Sequence, residues 1–220
     1  MPDFKTILAL DTALNNCSAA VYDSGETTSE TKEMIQGHAE HLMPMVARVL
    51  DRAGVAYDRL EAIATTVGPG AFTGLRIGLS AARALALALG IPVYGITTTQ
   101  LLALQAVKEN AAPVAVILET KRQDFYVQTF DKEGKALSAA ACVAADAIKT
   151  DGFVLVGDGV ERLTGKKAVL AVPGAGFMAG LLAQRPEFFM EGAEPVYLRG
   201  ADVTASKQQN RVLAVSTDIR

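Results

Sequence analysis

Apolar residues fall into two rhythms along the chain, and the change from one to the other marks out the elements. Residues 5–10 form an apolar run that ends in Asp11-Thr12, which predicts a buried strand with a polar tip. A second strand is predicted over 17–22 and a third, rich in Thr, over 27–34, with the turn Asp23-Ser24-Gly25-Glu26 between them. The period then lengthens. Leu42, Met45, Val46, Val49, Leu50 and Ala53 follow the i, i+3, i+4, i+7 spacing and predict an amphipathic helix over 38–53. Gly54 can end that helix, and Pro44 is tolerated in a first turn or at a kink. A strand over 62–67 leads into a small-residue helix over 73–89, stopped by Gly90, and a short strand follows over 91–96. Thr97 or Thr98 can cap the next helix, which runs to about Lys108.

After residues 110–113 the order restarts. Strands are predicted over 114–119, 125–130 and 136–143, a short helix over 144–149, strands over 153–157 and 168–172, and a helix over 176–184. Alternating strands and helices make the chain α/β. The repeated element order, without a sequence repeat, predicts a first lobe over 1–108 and a reduced second lobe over 109–199. Residues 200–220 are read as a loosely docked tail. Two such lobes are the order expected of the actin, sugar-kinase and Hsp70 nucleotide-binding group.

Composition narrows the function classes. Half of the 220 residues are hydrophobic and the formal net charge is −3, so no overall basic field draws in nucleic acid. Trp is absent and aromatics are 6%, which argues against a broad base-stacking surface. Two distant cysteines, Cys17 and Cys142, support neither a disulfide framework nor a zinc knuckle. The N-terminal residues do not read as a signal peptide, and the apolar stretch 79–91 carries Arg83 and reads as too short for a membrane span. The expectation is a cytoplasmic protein.

Most conspicuous is the stretch Gly68-Pro69-Gly70-Ala71-Phe72-Thr73-Gly74-Leu75-Arg76-Ile77-Gly78, where a buried strand turns directly into a helix. Gly68 and Gly70 can take positive φ or admit a close backbone, and the turn could hold a phosphate on free amides. It has neither the spacing of a dinucleotide fingerprint nor the Lys-Ser/Thr of a P-loop. Gly74 and Gly78 share a helix face, so something packs close to it. Asp11 and Thr12 stand at a strand end, where a nucleotide site of this fold keeps an acid, but the following Ala13-Leu14-Asn15-Asn16 lacks a phosphate-wrapping glycine. An Asp holding its own turn is the plainer reading. His38 and His41 lie three apart with no third ligand at a recognisable spacing, so no metal is expected there. There is no Gly-x-Ser-x-Gly elbow for a serine hydrolase, and Ser80 sits mid-helix. Residues 119–126, with Lys121-Arg122, join two second-lobe strands and could face a ligand between lobes. Gly157-Asp158-Gly159 is a strand-end turn of the same kind.

The block 68–78, with Ile7-Leu8-Ala9-Leu10-Asp11-Thr12, His38-Ala39-Glu40-His41-Leu42-Met43-Pro44 and Pro195-Val196-Tyr197-Leu198-Arg199, resembles the TsaB (YeaZ) family of tRNA threonylcarbamoyladenosine synthesis. In the second lobe Glu119-Thr120-Lys121 replaces the family's more usual Asp-Ala-Arg. The resemblance implies an accessory subunit without catalytic residues, bound to the paralogous transferase TsaD and, through it, to the ATPase TsaE. It implies contact with tRNA only through the complex, with ATP or ADP possible at the complex interface. TsaD carries a metal-binding His-x-x-x-His pair where this chain reads Thr97-Thr98-Thr99-Gln100-Leu101. The two first-lobe helices would pack on their counterparts in TsaD or in a second copy. The implied interface residues are His38, His41, Leu42, Met45, Gly74, Leu75, Gly78, Leu79 and Ala82. An ATPase or kinase acting alone is the alternative, and a peptidase a more distant one.

Overall fold

The computed structural model describes residues 4–198 of the chain; the predicted tail over 200–220 lies outside them. Among the described residues ten strands form two sheets, packed with five helices. The first sheet takes β1 (Thr6–Asp11), β2 (Asn16–Asp23), β3 (Glu26–Glu33), β4 (Ala62–Thr66), β5 (Val93–Ile96) and β10 (Met190–Glu191), in the order β10-β5-β4-β1-β2-β3. The predicted meander is present, with β1 antiparallel to β2 and β2 to β3, while β4 and β5 run parallel to β1. Parallel strands need a crossover, and α2 (Phe72–Leu89) supplies it between β4 and β5.

Alternation along β1 explains the layers. Leu8 and Leu10 point to one face, where they join Met45, Val46, Val49 and Leu50 of α1 (His38–Ala53) and Ala82 and Ala86 of α2. Ile7 and Ala9 point to the other face. There they meet α3 (Thr98–Asn110) and Met178, Ala179 and Leu182 of α5 (Ala175–Gln184). Thr97 caps α3, its side chain accepting from the Gln100 amide. Pro44 sits exposed within α1 beyond its first turn. By length and composition alone α2 could cross a membrane, which corrects the reading of that stretch as too short. Its apolar residues are instead partly spent on the first sheet, through Leu75, Leu79 and Ala82.

The second sheet, β8-β7-β6-β9, is formed by β6 (Val114–Glu119), β7 (Asp124–Phe130), β8 (Ala141–Ala144) and β9 (Val154–Val156). α3 serves both lobes. Leu101 and Leu104 pack on the first sheet, whereas Leu102, Ala103 and Ala106 join Val114, Val116, Leu118 and Phe130 of the second. A helix that is apolar on both sides reads as buried between layers. On the far face of the second sheet Ile117 and Phe125 meet Val160 of α4 (Val160–Thr164).

Two sequence expectations differ. Residues 168–172 form no strand, although the Leu170 carbonyl accepts from the Gly157 amide, and the predicted helix at 144–149 is a single 3-10 turn, Ala145–Ala147. The second lobe also ends earlier than residue 199. α5 packs on β1, β2 and β3, and β10 pairs with β5, so the chain returns to the first lobe after about residue 173. Element order alone could not reveal this, because a helix carries no mark of which sheet it will cover.

Candidate functional site between the lobes

The carboxyl ends of β1, β4, β6 and β9 all point to one cleft of about 1090 Å³ between the lobes. Such a crevice outside parallel-strand ends is where open α/β sheets place ligands. The first lobe contributes the start of α2 with Phe72 and Arg76, and the residues just before and at the start of α1. The second lobe contributes the β6–β7 loop with Lys121 and Arg122, and Asp158 after β9. Val196, Tyr197 and Leu198 form a third wall.

Asp11 is fully buried beneath this cleft and does not line it. Its Oδ1 accepts from Thr66 Oγ1 at 2.6 Å and from the Ala13 amide at 3.3 Å, and its Oδ2 accepts from Asn16 Nδ2 at 3.0 Å. Burial pushes the carboxyl up to about 6, against the pull of those three donors. Asn16 also donates to the Pro173 carbonyl at 3.3 Å, which ties this hub to the segment that returns from the second lobe. The chemistry is that of an aspartate holding its own turn.

Thr12 is buried as well, and its Oγ1 donates to the Gly74 carbonyl at 2.7 Å. This contact explains the two helical glycines. A Cβ on Gly74 would drive into the Thr12 carbonyl, and one on Gly78 would lie 2.5 Å from Thr12 Oγ1. The close neighbour that the sequence demanded is therefore the chain's own β1–β2 turn. The amide of Ala71 donates to the Ala13 carbonyl at 2.7 Å, so the glycine turn grips that same turn. Gly68, at φ 101, passes under the Val196 carbonyl. The weak phosphate vicinity expected at Asp11, Thr12, Gly68 and Gly70 is thus filled by protein, with only Gly70 reaching the cleft wall.

The residues expected at a partner interface are placed differently too. Leu42 and Met45 are core residues of the first lobe, and Gly74, Leu75, Gly78, Leu79 and Ala82 are buried against its own strands and turns. His38 is buried at the start of α1, and its ring is held below the usual histidine range chiefly by burial. His41 is half-buried, with Nε2 3.0 Å from Lys32 Nζ, so the two histidines do not converge. Among the described residues no group of three His, Cys, Asp or Glu side chains could hold a metal. The outer surface of the α1/α2 layer is carried by other residues. Met43, Pro44 and Ala47 are exposed on α1, and Thr73, Ser80, Ala84 and Leu87 on α2, with Leu87 86% exposed.

Three cleft features were not visible as a set in the sequence. The Arg76 guanidinium lies 3.7 Å from the centre of the Phe72 ring, and its Nε donates to Tyr197 Oη at 3.3 Å. Lys121 is held at φ 58, a conformation that costs a non-glycine residue roughly 1–3 kcal/mol. Thr120 keeps it there, donating to Asp124 Oδ1 at 2.6 Å and accepting from the Arg122 amide at 3.2 Å. Asp158 accepts from the Glu119 amide at 2.9 Å, and burial pushes its carboxyl up to about 6, with nearby Glu119 adding to the rise.

A family model for TsaD, tRNA N6-adenosine threonylcarbamoyltransferase, matches residues 28–210. The fold matches YeaZ from Pseudomonas aeruginosa with a TM-score of 0.74 and 32% identity, over 88% of this chain and 100% of that one. The chain belongs to the TsaB (YeaZ) family. The tRNA threonylcarbamoyladenosine biosynthesis protein TsaB of Escherichia coli (strain K12) is 28% identical over 193 residues, 86% of this chain and 82% of that protein. TsaB of Haemophilus influenzae is 28% identical over 94% of this chain and 98% of its own length. The two-lobed, actin-like α/β architecture expected from the element order is the one found. Where the resemblance places the metal-binding histidines of TsaD, this TsaB-family chain spends its threonines on structure. Thr97 caps α3, Thr98 and Thr99 are fully buried, and Thr99 Oγ1 donates to Gln128 Oε1 at 2.6 Å.

Proposed function

We propose that this chain is a non-catalytic subunit of the complex that adds the threonylcarbamoyl group to the adenosine beside the anticodon of ANN-decoding tRNAs. It binds and activates TsaD and works together with TsaE, and it meets tRNA only through the complex. The observation that carries the reading is the fate of Thr97–Gln100. Thr97 caps α3, Thr99 and Gln100 donate to the Gln128 side chain and the Gly134 carbonyl, and Thr98 is fully buried; the family membership supports the same conclusion. The outer surface of α1 and α2 is the partner face. It exposes the small or apolar side chains Ala47, Ala84, Leu87 and Met43, which suit close helix-on-helix approach, beside the exposed Arg48, Asp51 and Arg52 of α1. The same surface serves a homodimer, so self-association competes with TsaD for it.

Reconstitution tests both halves. Purified chain, TsaD, TsaE, the adenylate-forming enzyme, tRNA, ATP, threonine and bicarbonate should give modified tRNA, and omission of TsaD should abolish it. Ala84→Arg should abolish both the homodimer and the TsaD complex in sedimentation, with circular dichroism unchanged. Modified tRNA formed without TsaD would refute the non-catalytic role. Full association by a folded Ala84→Arg protein would place the interface elsewhere.

A further inference from the structure

We infer that a segment of this chain outside the described residues, Val212-Leu213-Ala214-Val215, folds back into the mouth of the interlobe cleft and closes it. The main chain is delivered there. The Val196 amide donates to the Val67 carbonyl at 2.7 Å, and Tyr197 and Leu198 then line the cleft. The sequence continues from Arg199 to Arg220, so all of it starts from the cleft mouth. Residues 199–211 are mostly polar, and the run 212–215 is the longest apolar stretch that follows Leu198. It lies beyond residue 210, where the match to the TsaD family ends. A spacer of thirteen residues, 199–211, brings the run back. Closure costs rise only slowly with loop length, and such a tether holds the run at an effective concentration on the order of millimolar.

The cleft is apolar where it is open. Ile35, Phe72 and Tyr197 are 68%, 56% and 47% exposed, and all three line it. Exposed apolar surface gathered in one concavity marks a docking site. At about 1090 Å³ the cleft lies above the roughly 300–1,000 Å³ of ordinary small-molecule pockets and has room for a peptide. At its wall His38 is 7% exposed, and its Nε2 has no hydrogen-bond partner among the described residues. Buried polar atoms are almost always paired, and the hydroxyls of Ser216 and Thr217, just past the run, supply a partner. Charge sets the direction of the segment. The run is bracketed by Arg211 and Asp218, and the cleft carries Glu40 on the first lobe and Lys121 on the second. Two other cleft acids are already engaged, Glu119 by Arg162 and Asp158 by the Glu119 amide. Arg211 therefore faces Glu40 and Asp218 faces Lys121, so the segment crosses from one lobe to the other.

The test uses the full chain alone, so its failure leaves the partner reading untouched. A nitroxide is attached at Ser216→Cys in a Cys142→Ser background, where Cys17 stays unlabelled because it is buried and its thiol is pushed up to about 11. In nitrogen-15 spectra the amides of Ile35, Phe72 and Lys121 should lose more than half of their intensity until the label is reduced. The amides of Arg52 and Leu89, at the far ends of α1 and α2, should keep theirs. Leu213→Asp and, independently, Phe72→Asp should each restore the cleft amides to more than nine-tenths of full intensity. Circular dichroism should not change in Phe72→Asp, because that side chain is exposed. Full intensity at the cleft amides of the labelled parent would overturn the proposal, as would undiminished losses in folded Leu213→Asp and Phe72→Asp proteins. In a mixture of labelled chain with unlabelled nitrogen-15 chain no loss is expected. Loss there would assign the segment to the cleft of a second copy and overturn the fold-back.

Discussion

Replacing Gly78 by Ala isolates the contact between α2 and the β1–β2 turn. The new Cβ would lie 2.5 Å from Thr12 Oγ1, against about 3.4 Å for ordinary contact, so one group must retreat by roughly 0.9 Å. Thr12 cannot rotate away freely, because it is buried and its hydroxyl donates to the Gly74 carbonyl. Overpacking of this kind costs about 1–3 kcal/mol, and loss of the hydrogen bond costs about 1 kcal/mol. Alanine regains about 1 kcal/mol of helix propensity. The net expectation is a loss of about 1–3 kcal/mol, read by urea unfolding followed by circular dichroism. The decisive measurement is the cycle with Thr12→Ala, which removes the struck atom and leaves the next one 3.8 Å away. In that background Gly78→Ala should stabilise, giving a coupling well above the ~0.5 kcal/mol scatter of independent sites. Additive effects, or a Gly78→Ala protein as stable as the parent, would refute the account of why glycine stands there.

Gly180→Ala is the matching control in α5, where a Cβ meets nothing within 4 Å, and it should stabilise by roughly 0.5–1 kcal/mol in the same urea assay. Asp158→Asn should flatten part of the pH dependence of stability. Burial pushes the folded carboxyl from an ordinary 3.8 up to about 6, so the native state holds the extra proton between those values and stability falls as pH rises through that window. The parent should therefore trail the variant by up to about 3 kcal/mol at pH 7.5 and match it near pH 4; equal urea midpoints at pH 7.5 would contradict this. Thr66→Val removes the donor to Asp11 Oδ1 and should destabilise by about 1–3 kcal/mol while raising the Asp11 carboxyl further, seen as a steeper loss of stability between pH 4 and 7. Leu87→Lys should leave the melting temperature unchanged and weaken self-association, measured by sedimentation.

Strands, helices and their order were legible because burial sets the periodicity that defines them. The same periodicity says nothing of an outer surface. An apolar stripe such as Leu42, Met45, Val46 and Val49 marks the face a helix buries, and in α1 that face is its own lobe's core. The exposed outer surface carrying Ala84, Leu87 and Met43 leaves no such stripe. The glycine spacing at 74 and 78 rightly demanded a close neighbour, but spacing cannot say whether that neighbour is another chain or Thr12. Lys121-Arg122 and Gly157-Asp158-Gly159 stood out as turns. That they converge on Phe72, Arg76 and Tyr197 depends on the packing of two sheets about α3, which no local pattern encodes.

The return of the chain to its first lobe has a consequence for biogenesis. The second sheet is contiguous in sequence, whereas the first needs α5 and β10, which begin about 86 and 101 residues after α2 ends. During synthesis the face carrying Ile7, Ala9, Ala62 and Ala64 is finished before the helix that covers it has left the ribosome. The second lobe is thus an insertion that can mature early, and a nascent first lobe must wait with one apolar face covered only in part, by α3. A chain stopped near residue 172 would hold a complete second sheet beside a first sheet lacking both its lid and its edge strand. Such a product is a substrate for chaperones and proteases rather than a smaller working subunit.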